Sequence, residues 1–115
     1  MSIKLYNIVA IVNEGSSELV MEIAKENGAR GGTIIPANSS VSAEAMKLYG
    51  IGIHPEKEIV LILVKSDIVD KILGKLYDKA GSNSDAMGIF FTLPVAHASE
   101  NILKQYSKKS GENND

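Results

Sequence analysis

Cysteine is absent from this 115-residue chain, which excludes a disulfide framework, thiolate catalysis and cysteine-ligated zinc, and fits a reducing compartment. Basic character is scarce: Lys and Arg total 12 against 14 Asp and Glu, a formal net charge of -2. Nucleic acids and anionic membranes are bound through clustered Lys and Arg, and no such field is present. Long apolar runs are also missing. The longest, Ile59 to Val64, is far short of the roughly 20 residues that a membrane-spanning helix needs. The opening Met1-Ser2-Ile3-Lys4 has no charged segment followed by an apolar stretch, so a cytoplasmic location without membrane insertion is expected. What remains, 44% hydrophobic and 23% charged, suits one soluble domain with a modest core.

Arginine occurs once, as Arg30, within Asn27-Gly28-Ala29-Arg30-Gly31-Gly32-Thr33. A planar fork of donors captures carboxylates or phosphates better than lysine does, and the flanking glycines permit close approach of a ligand or a second backbone. This turn is the best candidate for a small-anion site. An ordinary structural reading stands beside it: Gly28 ends a helix in a left-handed conformation, and Arg30 forms a surface salt bridge with Glu26 or Asp85.

Hydrophobic spacing gives the elements. Leu5 to Val12 is nearly all apolar and reads as a buried strand. A helix follows, capped by Ser16 or Ser17, with Leu19, Val20, Ile23 and Ala24 on one face and an end at Asn27-Gly28. Gly32 to Pro36 is a second strand and Glu58 to Lys65 a third. Ser66-Asp67 caps a second helix whose apolar face is Ile68, Val69, Ile72, Leu73, Leu76 and Tyr77. Gly88 to Val95 is a fourth strand. Two strand-helix-strand units of this size predict an α+β, ferredoxin-like βαββαβ sandwich with both helices on one face of the sheet. The domain spans residues 1–98, with a long flexible loop at about 37–55, and 99–115 form a partly disordered C-terminal extension.

A sheet covered on one face only should alternate apolar and polar residues. Ile8 to Val12 and Ile59 to Val64 are instead apolar at both parities. Four such strands expose about 300 Å² on the open face, near the largest apolar patch a monomer carries. A homo-oligomer that buries this face is therefore expected.

The order of the motifs resembles the PII and PII-like signal-transduction family from Lys4 to about Val95. The resemblance is carried by the first strand, the Gly28-Ala29-Arg30-Gly31-Gly32-Thr33 turn and the long loop after the second strand. Pro55-x-x-Glu58-Ile-Val before the third strand and Ile89-Phe90-Phe91-Thr92-Leu93-Pro94-Val95 complete it. It implies a homotrimer with sheets facing the threefold axis and nucleotide sites between subunits. It also implies a long loop, here including Met46 and Tyr49, that contacts a transporter or enzyme. The family's Gly-x-Gly-Lys-Ile run is replaced here by Ser84-Asp85-Ala86-Met87-Gly88-Ile89, and its later basic pair by His97-Ala98-Ser99-Glu100. Less charged adenine nucleotides, such as AMP or cyclic forms, suit that departure better than a triphosphate.

The predicted ligand site comprises Arg30 on phosphate, Gly31 and Gly32 as backbone approach, Thr33 on a ribose or phosphate oxygen, Asn38 and Ser39 at the loop root, and Asp85 with Gly88 from the later connection. No covalent cofactor and no resident metal are expected. An alternative class is a trimeric divalent-metal-binding protein of the cation-tolerance type. For it, the alternating His54, Glu56 and Glu58 would share one side of an extended backbone; solvated acids at a strand edge explain the same residues. His97 lacks a partner that would make it a base, Met21, Met46 and Met87 are packing residues, and Lys71, Lys75 and Lys79 face solvent. No nucleophile and base are paired, so the chain is not expected to be an enzyme.

Overall fold

The computed structural model describes residues 4–40 and 56–107. Met46, Tyr49 and His54 lie outside the described residues, as do 108–115 of the C-terminal extension. The elements run β1 (Leu5–Asn13), α1 (Ser17–Glu26), β2 (Thr33–Asn38), β3 (Glu56–Lys65), a 3-10 turn (Ser66–Ile68), α2 (Val69–Ala80), β4 (Ile89–Pro94) and α3 (Glu100–Ser107). The first seven are the expected βαββαβ arrangement. The sheet is antiparallel with order β2-β3-β1-β4.

Alternation along the strands divides the two faces. Ile8, Ala10 and Val12 of β1 stand opposite Ile62, Val60 and Glu58 of β3. With the exception of the half-buried Glu58 these residues are fully buried, against Val20, Ile23 and Ala24 of α1 and Val69, Ile72, Leu76 and Ala80 of α2. The opposite face carries Ile35, Ile89, Phe91 and Leu93, all exposed large apolar side chains. The two-parity hydrophobicity of the central strands thus reflects a core on one side and an open apolar surface on the other.

Several local expectations are corrected. Neither Ser16 nor Ser17 caps α1 through its own side chain; Glu58 does so from β3. Leu19 is 37% exposed and Tyr77 56%. Tyr77 sits at the border of the core, its ring edge-on to Phe90 at 5.6 Å. The second helix begins with a 3-10 turn and no side-chain cap, rather than a Ser66 or Asp67 cap. β2 continues to Asn38 and β3 starts at Glu56, so the long connection is 39–55.

The helix that the polar C-terminal composition concealed is α3. It lies at one end of the open face, where Leu103 and Leu5 line a common cavity of about 150 Å³ with Val95 and His97. Leu5 and Tyr106 are buried there, apart from the main core.

Candidate functional site

Helix α1 ends in a Schellman motif that fixes where Arg30 emerges. Gly28 has φ +110°, its N–H donates to the Lys25 carbonyl at 3.2 Å, and the Ala29 N–H donates to the Ala24 carbonyl at 2.9 Å. Ala29 is buried and Arg30 is exposed. The chain then enters β2 through Gly32, where a Cβ would lie 2.8 Å from Met21 Sδ and 2.9 Å from the Leu61 carbonyl oxygen. Gly32 therefore serves close packing of the protein on itself. Gly31 has open space around it.

Arg30 forms neither expected salt bridge. Among the described residues the one ion pair is Lys104 with Glu100, at 3.3 Å on α3. The Arg30 guanidinium lies instead over the Tyr106 ring, 4.8 Å from its centroid, a cation–π contact worth about 0.5–1 kcal/mol at an exposed site. The Tyr106 hydroxyl donates to the Leu63 carbonyl at 2.9 Å. The register that sets Thr33 opposite Leu61 would bring Gly31 opposite Leu63, but β2 has not begun there. Tyr106 thus satisfies a carbonyl that the ladder leaves open, and burial raises its phenol above the ordinary value while the Arg30 cation pulls the other way.

The other predicted site residues gather at the opposite end of the sheet. Asn38 is the last residue of β2, opposite Glu56, with Ser39 following. Asp85 lies in the connection before β4, and its carbonyl accepts the Asn13 side-chain N–H at 2.9 Å. Gly88 donates to the Ala80 carbonyl at 2.8 Å, and a Cβ there would lie 2.3 Å from both that oxygen and Phe90 Cζ. It too is a packing glycine. The length of β2, about 20 Å for its residues, separates this group from Arg30, with Thr33 on the way between them. One chain does not bring the predicted anion site together.

This far end has an organiser that the sequence reading missed. Asn13 is buried; it accepts the Lys57 ammonium at 2.6 Å, donates from its side chain to Asp85, and donates its N–H to the Ala86 carbonyl at 2.9 Å. A cleft of about 290 Å³ beside it is lined by Glu14, Glu56 and Asp85, a set that repels phosphate. Its only sequence signal was an asparagine ending an apolar run.

Glu58, a metal suspect, is committed to α1. One carboxylate oxygen accepts the Gly15 N–H at 2.9 Å and the Ser17 N–H at 3.1 Å. Burial pushes its pKa upward, but hydrogen bonds from Ser17, Gly15 and Ser16 outweigh it and hold the carboxyl below the ordinary 4.5. Among the described residues no group of three or more His, Asp or Glu is placed to hold a metal ion, and no helix is long and apolar enough to cross a membrane.

No protein-family model matches the sequence, and no curated protein matches it. Solved structures do. A protein described as PII-like and signalling from Thermus thermophilus superposes with TM-score 0.61 at 19% identity, over 81% of this chain and 87% of that one. PII of Arabidopsis thaliana bound to citrate gives 0.64 at 22% identity, with 97% of each chain covered. The divalent ion tolerance protein CutA1 of Ehrlichia chaffeensis gives 0.69 at 12% identity, over 93% and 95%. Built from the same antiparallel sheet with two helices on one face, this chain has the ferredoxin-like fold shared by PII-like signalling proteins and CutA1.

Proposed function

We propose that this chain is a non-enzymatic, PII-like cytoplasmic regulator. It assembles as a homotrimer through its sheet faces, binds a small anionic effector between subunits, and controls a transporter or enzyme through the 39–55 segment. An adenine nucleotide of low charge is the effector class. The observation that carries the reading is Arg30, the only arginine, held at the surface with no described residue accepting from its donors.

The separation of the two site groups supports a cleft between subunits. Arg30, Gly31 and Gly32 lie about one strand length from Asn38, Ser39, Asp85 and Gly88, with Thr33 between them, so both groups reach one ligand only when different subunits supply them. Arg30 then meets phosphate, while Asn38 and the Asp85 carboxylate suit ribose hydroxyls or an exocyclic amine. The open row of Ile35, Ile89, Phe91 and Leu93 supplies the apolar contact for assembly. PII of Arabidopsis carries citrate, a small polyanion on the same fold.

Calorimetric titration with ATP, ADP, AMP, cyclic AMP and cyclic di-AMP, repeated on Arg30→Ala, tests this. Saturable binding of one nucleotide that weakens at least tenfold in the variant is expected; silence across the panel overturns the nucleotide assignment. Ligand-dependent proteolysis within 39–55 tests the output, and equal cutting with and without ligand counts against it.

The likeness to CutA1 favours a second reading, a trimeric divalent-metal-binding protein. Glu58 is occupied as a helix cap in that case too, so Glu56 and His54 become the residues to vary in a copper or zinc titration.

A further inference from the structure

We infer that Tyr106 is a positioning residue for Arg30, so that docking of α3 and capture of a planar oxyanion, a carboxylate or phosphate, are coupled. The inference rests on the reading that Arg30 meets an anion. It adds an element outside the segment that carries the family resemblance.

A guanidinium donates its hydrogen bonds in its own plane, whereas an aromatic ring attracts it as a cation through the ring face. Holding Arg30 over the Tyr106 face at 4.8 Å uses its charge and consumes none of its hydrogen-bond donors. Among the described residues, no side chain accepts from Arg30, and the N–H groups of Gly31 and Gly32 donate to no backbone carbonyl. Among the described residues the fork thus has no acceptor, and two amides without a backbone acceptor follow it directly in the chain. An arginine free to rotate would lose its rotamer freedom on binding; one already held loses less, and the difference for a single long side chain is about tenfold in affinity.

Tyr106 is itself anchored. It is 8% exposed, and its hydroxyl bonds the Leu63 carbonyl, tying the ring to the third strand rather than to the tail alone. By linkage, an anion that prefers the held arginine must also favour the docked helix by the same factor.

The test uses the full chain titrated with AMP, citrate and inorganic phosphate, with hydrogen exchange followed on Glu100–Ser107. In the wild type, a bound oxyanion is expected to slow exchange in α3. Tyr106→Phe keeps the ring and should bind within about twofold of wild type. Tyr106→Leu, its fold checked by circular dichroism, should bind about tenfold more weakly. Equal binding by Tyr106→Leu, or oxyanion binding that leaves α3 exchange unchanged, overturns the coupling while the effector reading stands. Binding of citrate or phosphate with this pattern, but of no nucleotide, supports the coupling and removes the nucleotide assignment. Failure of all three probes to bind the wild type overturns both.

Discussion

Glu58 on β3 reaches across to α1 and accepts the Ser17 backbone N–H at 3.1 Å. The same oxygen takes the Gly15 N–H at 2.9 Å, so a strand side chain does the work usually done by a serine at the helix start. Removing its charge should loosen the packing of α1 on the sheet. Glu58→Gln is expected to lower unfolding stability by about 1 kcal/mol, read from urea denaturation at neutral pH. Because the folded carboxyl titrates below its ordinary 4.5, its contribution is complete above that pH and fades as pH falls through the lower folded value. The stability gap between wild type and variant should therefore close in acid; a gap that widens there would contradict the capping role.

The open face makes a second prediction. Phe91 is 43% exposed and stands beside Val9 in the register. Phe91→Glu should dissociate the proposed assembly to monomers, because an unpaired carboxylate is costly to bury in an apolar interface. Sedimentation velocity decides it, and an unchanged oligomer mass would place the interface elsewhere.

Gly88 offers a packing test. A methyl group there would lie 2.3 Å from the Ala80 carbonyl oxygen and from Phe90, so the β4 start must shift. Gly88→Ala should destabilise by about 1–3 kcal/mol. A thermal melt at the wild-type midpoint would show that the connection yields freely.

Alkali should release α3 before the core. The Tyr106 phenol titrates above the ordinary 10.0, so its contribution is intact below pH 10 and falls as pH rises toward the folded value. Ultraviolet titration should find one tyrosine ionising late, and Tyr106→Phe should remove that component. Its persistence in the variant would assign the late ionisation to another tyrosine.

The sheet, two helices and open face were legible because they rest on periodicity. Ile59 to Val64 is apolar at both parities, and the parity opposite the helices lies on the open face. What escaped depends on contacts distant in sequence. Ser16 and Ser17 look like caps, yet the acceptor is Glu58. Ile102, Leu103 and Tyr106 have helical spacing, but that short segment becomes a docked helix through Leu5, Leu63 and Arg30. Arg30 stood out by its rarity, whereas its partner was legible only in three dimensions. The sequence leaves open whether the glycines beside Arg30 admit a ligand or a second backbone; at Gly32, and at Gly88 too, the protein's own atoms leave no room for a side chain.

Pro36 limits how copies of this protein can join. The Ser66 N–H bonds the Lys4 carbonyl, and the Tyr106 hydroxyl meets the Leu63 carbonyl; together they turn even-numbered β3 residues toward β1 and odd-numbered ones toward β2. Thr33 and Ile35 then point their amides inward, while Ile34 and Pro36 address the outer margin. A foreign strand arriving there meets no amide hydrogen at Pro36. The interruption disfavours endless edge-on polymerisation and leaves the sheet face as the surface on which a closed assembly can form.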